Sequence, residues 1–356
     1  MIKPGGTAGD AQYGRYSRIH SAQNRIVKLG RIYRDLTELV GNTPLVELAR
    51  IRQKYDLPSR ILAKIEYLNP AGSVKDRTAW GIIREAERTG RLKPGDLLFD
   101  LTSGNTGIGI AAVASARGYR TKFYLRNTIS EDKINILRQF GSEIELIGNE
   151  ELFQPDAIHR IIDRIKAENP GAFYTGQRSN DANPQVHFDT TGPEIWRDTD
   201  GDIDILVGTV GTGGTLSGAG RFLKAQKPEI RIVVAEPTPE SVPSPEKPDA
   251  PTIEGVHKVT DVEEGTLPET YNKGVVDEIV AVTTEQARRA ALTVAREEGF
   301  LVGTSSGAAV AVAIELARRV ENRAKTIVVV FPDSGERYLS LFDAPTENVA
   351  STDRDL

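Results

Sequence analysis

The chain has 356 residues, 39% of them hydrophobic and 27% charged, with a formal net charge of −5 and a pI near 5.6. These values are ordinary for a globular protein long enough for two domains with a substantial buried core. The acidic balance excludes an overall positive field that would attract nucleic acid, and the lack of any run of eighteen apolar residues excludes a membrane span. The absence of cysteine excludes disulfides and a cysteine nucleophile. We therefore expect no nucleic-acid or membrane partner, and a cytoplasmic location by default.

The first 34 residues are much more basic than the rest, with seven Lys or Arg against one Asp. They contain no apolar segment of the kind that a secretory signal requires. This composition fits a mitochondrial-type transit peptide, or a basic arm that packs on the protein or on a partner subunit. We favour the arm and place it at residues 1–35.

From residue 36 onward, apolar strand-like runs alternate with helical patterns. The predicted strands are Ile61–Tyr67, Asp96–Thr102, Thr121–Leu125, Glu143–Ile147, Asp204–Val210, Ile230–Glu236, Val275–Val282 and Thr326–Phe331. The predicted helices include Lys75–Glu87, Thr106–Arg117, Leu216–Lys227, Thr284–Glu297 and Gly307–Arg319. The continuously apolar run 327–330 is typical of a strand covered on both faces. The alternation predicts an α/β fold with open, largely parallel sheets that bind ligands at the carboxyl ends of their strands.

Residues 237–251 interrupt this alternation with six prolines, which block both a regular helix and a central strand. The segment is predicted to be a surface loop. A connector and an active-site rim are equally compatible with its composition.

A glycine-rich turn at residues 211–215 follows the strand predicted at 204–210 and precedes a helix. Glycine lets backbone amides approach an anion closely, and a helix N-terminus adds a positive partial charge. A phosphate is therefore expected here. A dinucleotide remains an alternative, because the following strand ends in Glu236, which could bind a ribose. The spacing of the glycines does not match G-x-G-x-x-G, although a frame shifted to Gly208 comes close.

A second turn, at residues 102–107, reads TSGNTG and also leads from a strand into a helix. Several hydroxyl side chains and exposed amides converge there, which suits a carboxylate. A single helix cap needs only one such residue. Two anion sites at strand ends indicate one bipartite ligand, or a cofactor together with a substrate.

Lys75 lies in the segment NPAGSVKDR, residues 69–77, where a loop enters a helix. Most lysines are solvated surface charges. A helix N-terminus disfavours a cation, however, and would lower the pKa of this amine and favour its action as a nucleophile.

Together, these segments resemble the fold-type II enzymes that use pyridoxal 5′-phosphate (PLP), and within them the cysteine synthase and cystathionine β-synthase family. The resemblance runs from about Leu36 to Leu341. It includes VGNTPL (40–45), NPAGSVKDR, TSGNTG, GTGGT (211–215), Gln177, Asn183-Pro184, TTGPEIW (190–196), GTSSGAA (303–309) and PDSGERYLS (332–340).

The resemblance implies two open, largely parallel α/β domains of the tryptophan synthase β-like fold. The larger, PLP-binding domain is expected at 36–78 and 181–345. A smaller, mobile domain that binds the substrate carboxylate is expected at 79–180, and 346–356 form a C-terminal tail. A homodimer is also expected from the resemblance.

The same resemblance implies roles for individual residues. Lys75 would bind PLP as a Schiff base and move protons at the substrate. The residues that would bind the rest of the cofactor are Asn105 at its ring oxygen, Gly211, Thr212, Gly213, Gly214 and Thr215 at its phosphate, and Ser305 at its pyridine nitrogen. The residues that would bind the substrate carboxylate are Thr102, Ser103, Thr106 and Gln177. No metal is expected.

The activity implied is β-replacement on an O-activated serine through an aminoacrylate, because a hydroxyl at Ser305 does not stabilise a long-lived carbanion. Cysteine synthase, which converts O-acetylserine and sulfide to cysteine and acetate, is favoured. O-phosphoserine sulfhydrylase, cystathionine β-synthase and a diaminopropionate-forming enzyme remain alternatives, with deamination weaker. His257 and Lys258 replace part of a glycine-rich turn of cysteine synthases and are candidate contacts for a phosphate leaving group; solvated loop positions are the simpler interpretation.

Two hypotheses from other classes make different predictions. An NAD-binding oxidoreductase would use residues 204–236 and tolerate substitution of Lys75. A non-catalytic relative would bind a partner, through its basic arm for example, although all the expected functional side chains are present.

Overall fold

The computed structural model describes residues 32–102, 104–127, 129, 131–148, 157–244, 247, 250–263 and 265–341. The chain divides into two compact units, Met1–Arg34 and Asp35–Leu356. Every strand and helix named below belongs to the second unit. The predicted arm at 1–35, up to residue 31, and the predicted tail at 346–356 lie outside the described residues.

Strands and helices alternate along most of this unit. The strands are β1 (Leu45–Glu47), β2 (Arg60–Ile65), β3 (Leu97–Leu101), β4 (Arg120–Arg126), β5 (Glu143–Ile147), β6 (Phe173–Tyr174), β7 (Ile205–Thr209), β8 (Arg231–Pro237), β9 (Glu278–Val282) and β10 (Thr326–Phe331). The α-helices are α1 (Ala49–Lys54), α2 (Lys75–Arg88), α3 (Asn105–Arg117), α4 (Glu131–Gln139), α5 (Ala157–Glu168), α6 (Ala182–Val186), α7 (Gly192–Asp198), α8 (Gly214–Gln226), α9 (Thr284–Glu298) and α10 (Thr304–Arg318).

The strands form two sheets. One has six strands in the order β1-β2-β10-β7-β8-β9, and the other has four in the order β5-β4-β3-β6. Every pairing is parallel except that of β1 with β2. The prediction of largely parallel α/β sheets is therefore confirmed.

Helices cover these sheets with apolar faces that the sequence spacing explains. In α2, Ala79, Ile82, Ile83 and Ala86 recur at the three- and four-residue spacing of one helix face, and all four are completely buried. Every residue of β10 is buried, as expected for a central strand with helices on both faces. The carboxyl ends of the strands consequently open onto helix N-termini, where the predicted ligand-binding turns lie.

Two predicted strands, Glu143–Ile147 and Thr326–Phe331, have the observed bounds. The predicted strand Val275–Val282 is wrong over its first three residues, because Asn272 caps a 3₁₀ turn at Lys273–Val275 and β9 begins only at Glu278. The predicted helix Gly307–Arg319 begins earlier, at Thr304.

The proline-rich segment 237–251 contains a 3₁₀ turn, Pro239–Ser241, as far as the structure describes it. The hydroxyl of Ser241 accepts a hydrogen bond from the backbone N–H of Thr284, the first residue of α9. Residues 241–243 and 252–258 also line a cavity of about 260 Å³. The segment thus connects β8 to the rest of the sheet and borders a cavity, so both interpretations of its composition stay open.

Candidate active site

Lys75 is the first residue of α2, and the loop before it is anchored to the end of β10. The backbone N–H of Val74 donates to Pro332 O over 2.8 Å, and Ser73 forms a β-bridge with Asp333. Gly72 has a φ of +86°, which favours glycine in this sharp turn. The loop therefore presents Lys75 at the carboxyl edge of the six-stranded sheet.

Lys75 as a whole is partly buried, and no described residue forms a hydrogen bond or an ion pair with its Nζ. Burial lowers the pKa of Lys75, while the nearby Asp333 carboxylate acts in the opposite direction. Its place at a helix N-terminus also disfavours the charged form. The site thus holds an amine that is biased toward its neutral, nucleophilic form.

The turn at residues 102–107, which is predicted to bind a carboxylate and is called the carboxylate turn below, lies between β3 and α3, close to Lys75. The hydroxyl of Thr106 donates to Gln177 Oε1 over 2.5 Å, so these two predicted carboxylate ligands are brought together. Thr102 is buried at the end of β3, whereas Ser103 lies outside the described residues. A side chain at Gly109 would come within 2.9 Å of Lys75 O, so glycine lets α3 pack directly against the lysine backbone.

Asn105 is fixed by residues to which sequence reasoning gave no role. Its Nδ2 donates to Asp333 Oδ2 over 2.6 Å, and its Oδ1 accepts from the guanidinium of Arg337. The hydroxyl of Tyr338 also donates to Asp333, and burial raises the pKa of that carboxyl. The segment PDSGERYLS could have identified Asp333, Arg337 and Tyr338, because it directly follows the strand predicted at 326–331, whose carboxyl end lies at the edge of the sheet where ligands are expected.

The phosphate turn at 211–215 joins β7 to α8 with the geometry that its glycines predict. Gly213 has a φ of +80°, and a Cβ there would lie 2.6 Å from Tyr271 Cβ. A Cβ at Gly211 would lie 2.7 Å from Gly255 O. The first amides of α8 have no intrahelical acceptor, so they point toward any anion at this helix N-terminus.

Thr212 and Thr215, the two hydroxyl residues of the phosphate turn at 211–215, contact side chains of Asn183 and His187. Thr212 Oγ1 accepts a hydrogen bond from Asn183 Nδ2 over 2.9 Å. Thr215 Oγ1 lies 3.3 Å from His187 Nε2, whose other ring nitrogen is 2.8 Å from Thr191 Oγ1. Burial lowers the pKa of His187 to about 3, with the Arg77 charge acting in the same direction. A neutral imidazole therefore supports this turn.

The dinucleotide alternative does not fit this arrangement. Glu236, the acid expected at a ribose, is 4% exposed, and its Oε2 accepts from the backbone N–H groups of Val259 and Thr260. Gly208 lies inside β7 and not in the turn. The carboxylate thus binds a neighbouring loop, and the shifted glycine frame is part of a strand.

Ser305 is the second residue of α10 and is 8% exposed. No described residue forms a hydrogen bond with its hydroxyl. A side chain at Gly303, just before this helix, would collide with Asp333 Oδ1, so the helix begins directly against the carboxylate near Lys75. Ser305 therefore lies on the same side of the sheet as Lys75 with its hydroxyl available.

His257 and Lys258 differ in their surroundings. Burial lowers the pKa of His257, and the positive charges of Arg178, Lys75 and Arg126 lower it further, so its ring lies within the electrostatic reach of the lysine. Lys258 Nζ instead donates to Thr260 O over 2.6 Å and lies 3.7 Å from Glu236 Oε1. The leaving-group contact stays a prediction for both residues.

These features form a site that fits PLP. An unpartnered lysine amine suits an aldehyde, a helix N-terminus with glycines suits a phosphate, and a buried unpaired hydroxyl at Ser305 suits a ring nitrogen. Within the described part of the chain, no group of three or more His, Cys, Asp or Glu is arranged to hold a metal ion. No helix there is both long and apolar enough to cross a membrane.

Comparison with known proteins agrees with this chemistry. The family described as pyridoxal-phosphate dependent enzyme matches residues 36–333. A cysteine synthase of Staphylococcus aureus strain Mu50 is 42% identical over 309 residues, covering 86% of this chain and 95% of the relative. The solved structure of an O-ureido-L-serine synthase has a TM-score of 0.79 at 34% identity, covering 90% of this chain and 98% of that one.

A second solved structure, O-acetyl serine sulfhydrylase isoform 3 of Entamoeba histolytica, also has a TM-score of 0.79, at 36% identity. It covers 90% of this chain, and this chain covers 94% of it. The resemblance, the tryptophan synthase β-like fold and the cofactor expected from the motifs are thereby confirmed. This chain belongs to the family of pyridoxal-phosphate dependent enzymes.

Proposed function

We propose that this protein is a cysteine synthase, which replaces the acetyl group of O-acetylserine by sulfide to form cysteine and acetate. The observation that carries the proposal is Lys75, an unpartnered amine at the N-terminus of α2, next to a carboxylate turn and in the same sheet edge as a phosphate turn. The 42% identity to a cysteine synthase over most of both chains supports the choice of reaction.

The cofactor would be held by residues at or next to the N-termini of α2, α3, α8 and α10. Lys75 would bind its aldehyde, the amides and hydroxyls of 211–215 its phosphate, Asn105 its ring oxygen and Ser305 its ring nitrogen. When bound, PLP supplies an acceptor for the electron pair released at the substrate Cα. Because Ser305 carries a hydroxyl and not a carboxylate, it would leave the ring nitrogen uncharged and favour prompt loss of the leaving group.

The remaining chemistry belongs to the chain's own side chains. Thr102, Ser103, Thr106 and Gln177 would bind the donor carboxylate and orient the Cα–H bond toward Lys75. The donor's own amine would replace Lys75 at the aldehyde. The freed, neutral amine of Lys75 would then take the Cα proton as acetate leaves Cβ with the electrons of the C–O bond. Sulfide, as HS⁻, would then add to Cβ, and the Lys75 ammonium would return its proton to Cα.

The proposed reaction requires water to be excluded from the site. We propose that residues 79–180, which contain all four strands of the smaller sheet, move toward residues 36–78 and 181–345 when the carboxylate binds at 102–107. We also propose that the protein acts as a homodimer, as the family resemblance implies, and that its location is the cytoplasm. Size-exclusion chromatography with light scattering tests the dimer, and a monomeric mass would contradict it.

The donor and the nucleophile need a direct test, because the solved structures include an O-ureido-L-serine synthase as well as an O-acetyl serine sulfhydrylase. The cations around His257 favour an anionic leaving group, so O-phosphoserine is the second donor candidate. Serine with homocysteine and an amine nucleophile that forms diaminopropionate complete the set.

The decisive experiment supplies purified, PLP-loaded protein with O-acetylserine, O-phosphoserine or serine, and then with sulfide, homocysteine, hydroxyurea or ammonia. We expect O-acetylserine with sulfide to give the highest kcat/KM. Lys75→Ala should lose covalent PLP and activity, whereas Lys93→Ala, at an exposed lysine, should retain both. A wild-type protein without PLP, nicotinamide binding that tolerates Lys75→Ala, or no turnover of any donor would contradict the proposal.

A further inference from the structure

Asn183 lies in the short helix α6 and is completely buried. Its amide makes three hydrogen bonds to three separate segments. Nδ2 donates to Gln177 O over 2.8 Å and to Thr212 Oγ1 over 2.9 Å, and Oδ1 accepts from Thr78 Oγ1 over 3.1 Å. Each of these segments carries a part of the candidate active site.

The three partners belong to different functions. Gln177 is a predicted ligand of the donor carboxylate, and its side chain contacts Thr106. Thr212 lies in the phosphate turn. Thr78 lies one helical turn after Lys75 in α2. A single buried amide thus joins the carboxylate site, the phosphate site and the helix that presents the lysine.

The orientation of the amide follows from its partners. The carbonyl of Gln177 can only accept, so the NH₂ group of Asn183 must face it, and the remaining oxygen faces the hydroxyl of Thr78. The fit is close, because a Cβ at Gly214 would collide with the Asn183 amide. The turn at 211–215 and this side chain therefore pack as one unit.

The hydrogen bond to Thr212 has a consequence for phosphate binding. A hydroxyl that accepts from Asn183 Nδ2 keeps its own proton free to donate elsewhere. The amide thus directs the Thr212 hydroxyl to serve as a donor toward an anion at the turn. The same NH₂ group fixes the backbone that carries the Gln177 side chain.

We propose that Asn183 is a positioning residue that couples donor-carboxylate binding to cofactor-phosphate binding. The inference rests on the proposed function. When a carboxylate engages Gln177 and Thr106, the backbone of Gln177 orders, and Asn183 transmits that order to the Thr212 hydroxyl. Each ligand consequently strengthens the binding of the other.

The test compares the wild type with Asn183→Ala, Asn183→Asp, the milder Thr78→Val and the control Asn180→Ala. Asn180 lies three residues away, and among the described residues its side chain bonds only Thr175 O and the backbone N–H of Ala182, so removing that side chain disturbs the segment without touching the coupled side chains. Fluorescence titration gives the PLP dissociation constant with and without saturating propionate, a carboxylate that lacks an amine to react with PLP. Steady-state kinetics gives KM and kcat for O-acetylserine.

In the wild type and Asn180→Ala, propionate should tighten PLP binding severalfold. In Asn183→Ala and Asn183→Asp, the PLP dissociation constant and the KM for O-acetylserine should each rise by about tenfold, because buried hydrogen bonds are lost. The effect of propionate on PLP binding should disappear in both variants. Thr78→Val, which keeps both N–H bonds, should fold even where the other variants do not, and should reduce the propionate effect only in part.

Three results would overturn the proposal. The first is the lack of a propionate effect in the wild type, and the second is equal losses of PLP binding in Asn180→Ala. The third is an unchanged propionate effect in Asn183→Ala, or in Thr78→Val where Asn183→Ala does not fold. A role in stability alone would lower the unfolding temperature and leave the propionate effect intact. If the wild type binds no PLP or turns over no donor, the proposed function fails, which is a different outcome from a wild-type enzyme that lacks the coupling.

Discussion

Replacing Arg77 tests how the loop that carries Lys75 is held. Arg77 is 1% exposed and makes two hydrogen bonds of 2.7 and 2.8 Å to Glu66 and two of 2.7 Å to Glu194. Lys64 Nζ also bonds Glu194, over 2.8 Å, so the cluster holds two cations and two carboxylates away from water. Removing one partner of such a cluster strands a buried charge.

The expected cost of Arg77→Met follows from these contacts. Glu194 would keep Lys64, but Glu66 would keep only the neutral donors Thr43 and Asn69. Breaking a buried ion pair from one side costs about 3 to 5 kcal/mol, and we expect a loss in this range in the free energy of unfolding. Urea denaturation followed by circular dichroism, at fixed PLP concentration, measures it.

The exposed pair Arg88–Glu85 supplies the control, because solvent screens this pair and Arg88→Ala should leave the free energy of unfolding nearly unchanged. The double variant Arg77→Met with Glu66→Gln should recover part of the loss, since it removes the stranded carboxylate. A loss below about 1 kcal/mol for Arg77→Met would refute the reasoning, because the cluster would then contribute no more than a surface pair.

Three further predictions concern pH and the ligand turns. Arg77 holds the pKa of Glu66 down at about 2 despite burial, so the folded protein binds a proton at Glu66 less readily than the unfolded chain does. The stability that Glu66 contributes should therefore be complete above about pH 4.5 and disappear as the pH falls toward 2. Glu66→Gln should flatten that part of an acid-unfolding curve. Gly213→Ala should weaken PLP binding at least about tenfold, because the new Cβ meets Tyr271 at a φ of +80°, whereas Gly171→Ala, with a similar φ and no atom within 4 Å, should leave the PLP dissociation constant unchanged. Thr106→Val should raise the KM for O-acetylserine about tenfold through loss of its bond to Gln177, without changing the KM for sulfide; equal changes in both would contradict a role in carboxylate binding.

Local patterns predicted the larger elements well, because long apolar runs and helical periodicity are properties of neighbouring residues. The strand at 326–331 is apolar throughout and has the predicted bounds. The short elements β1 and β6 and the helices α1, α6 and α7 were not predicted, since they are too short to show a clear periodicity. The longer helices α4 and α5 were not predicted either, although Ile161, Ile162 and Ile165 of α5 are buried at helical spacing. The short helix α6 packs against α2 and α8, and α7 packs against α8, so tertiary contacts stabilise helices that are too short to form alone.

The candidate site, like the fold, has parts that local sequence motifs predict and parts that they do not. Lys75 and the two turns at 102–107 and 211–215 are contiguous motifs. The residue types of the turns predict two anion sites, and the resemblance of all three motifs to a known family identifies Lys75 as the lysine that binds the cofactor. The sequence by itself therefore determined the fold class, the cofactor and the family.

The tertiary structure decided which distant groups support these motifs. Asp333 bonds Asn105 across 228 positions, Arg77 meets Glu194 across 117, and Asn183 reaches Thr78 across 105. Such pairs leave no periodic or contiguous signal, because each depends on how two strand ends or helix starts meet in space. Buried charges and amides can be placed only when every partner is known, since each is stable in the interior only with its hydrogen bonds complete.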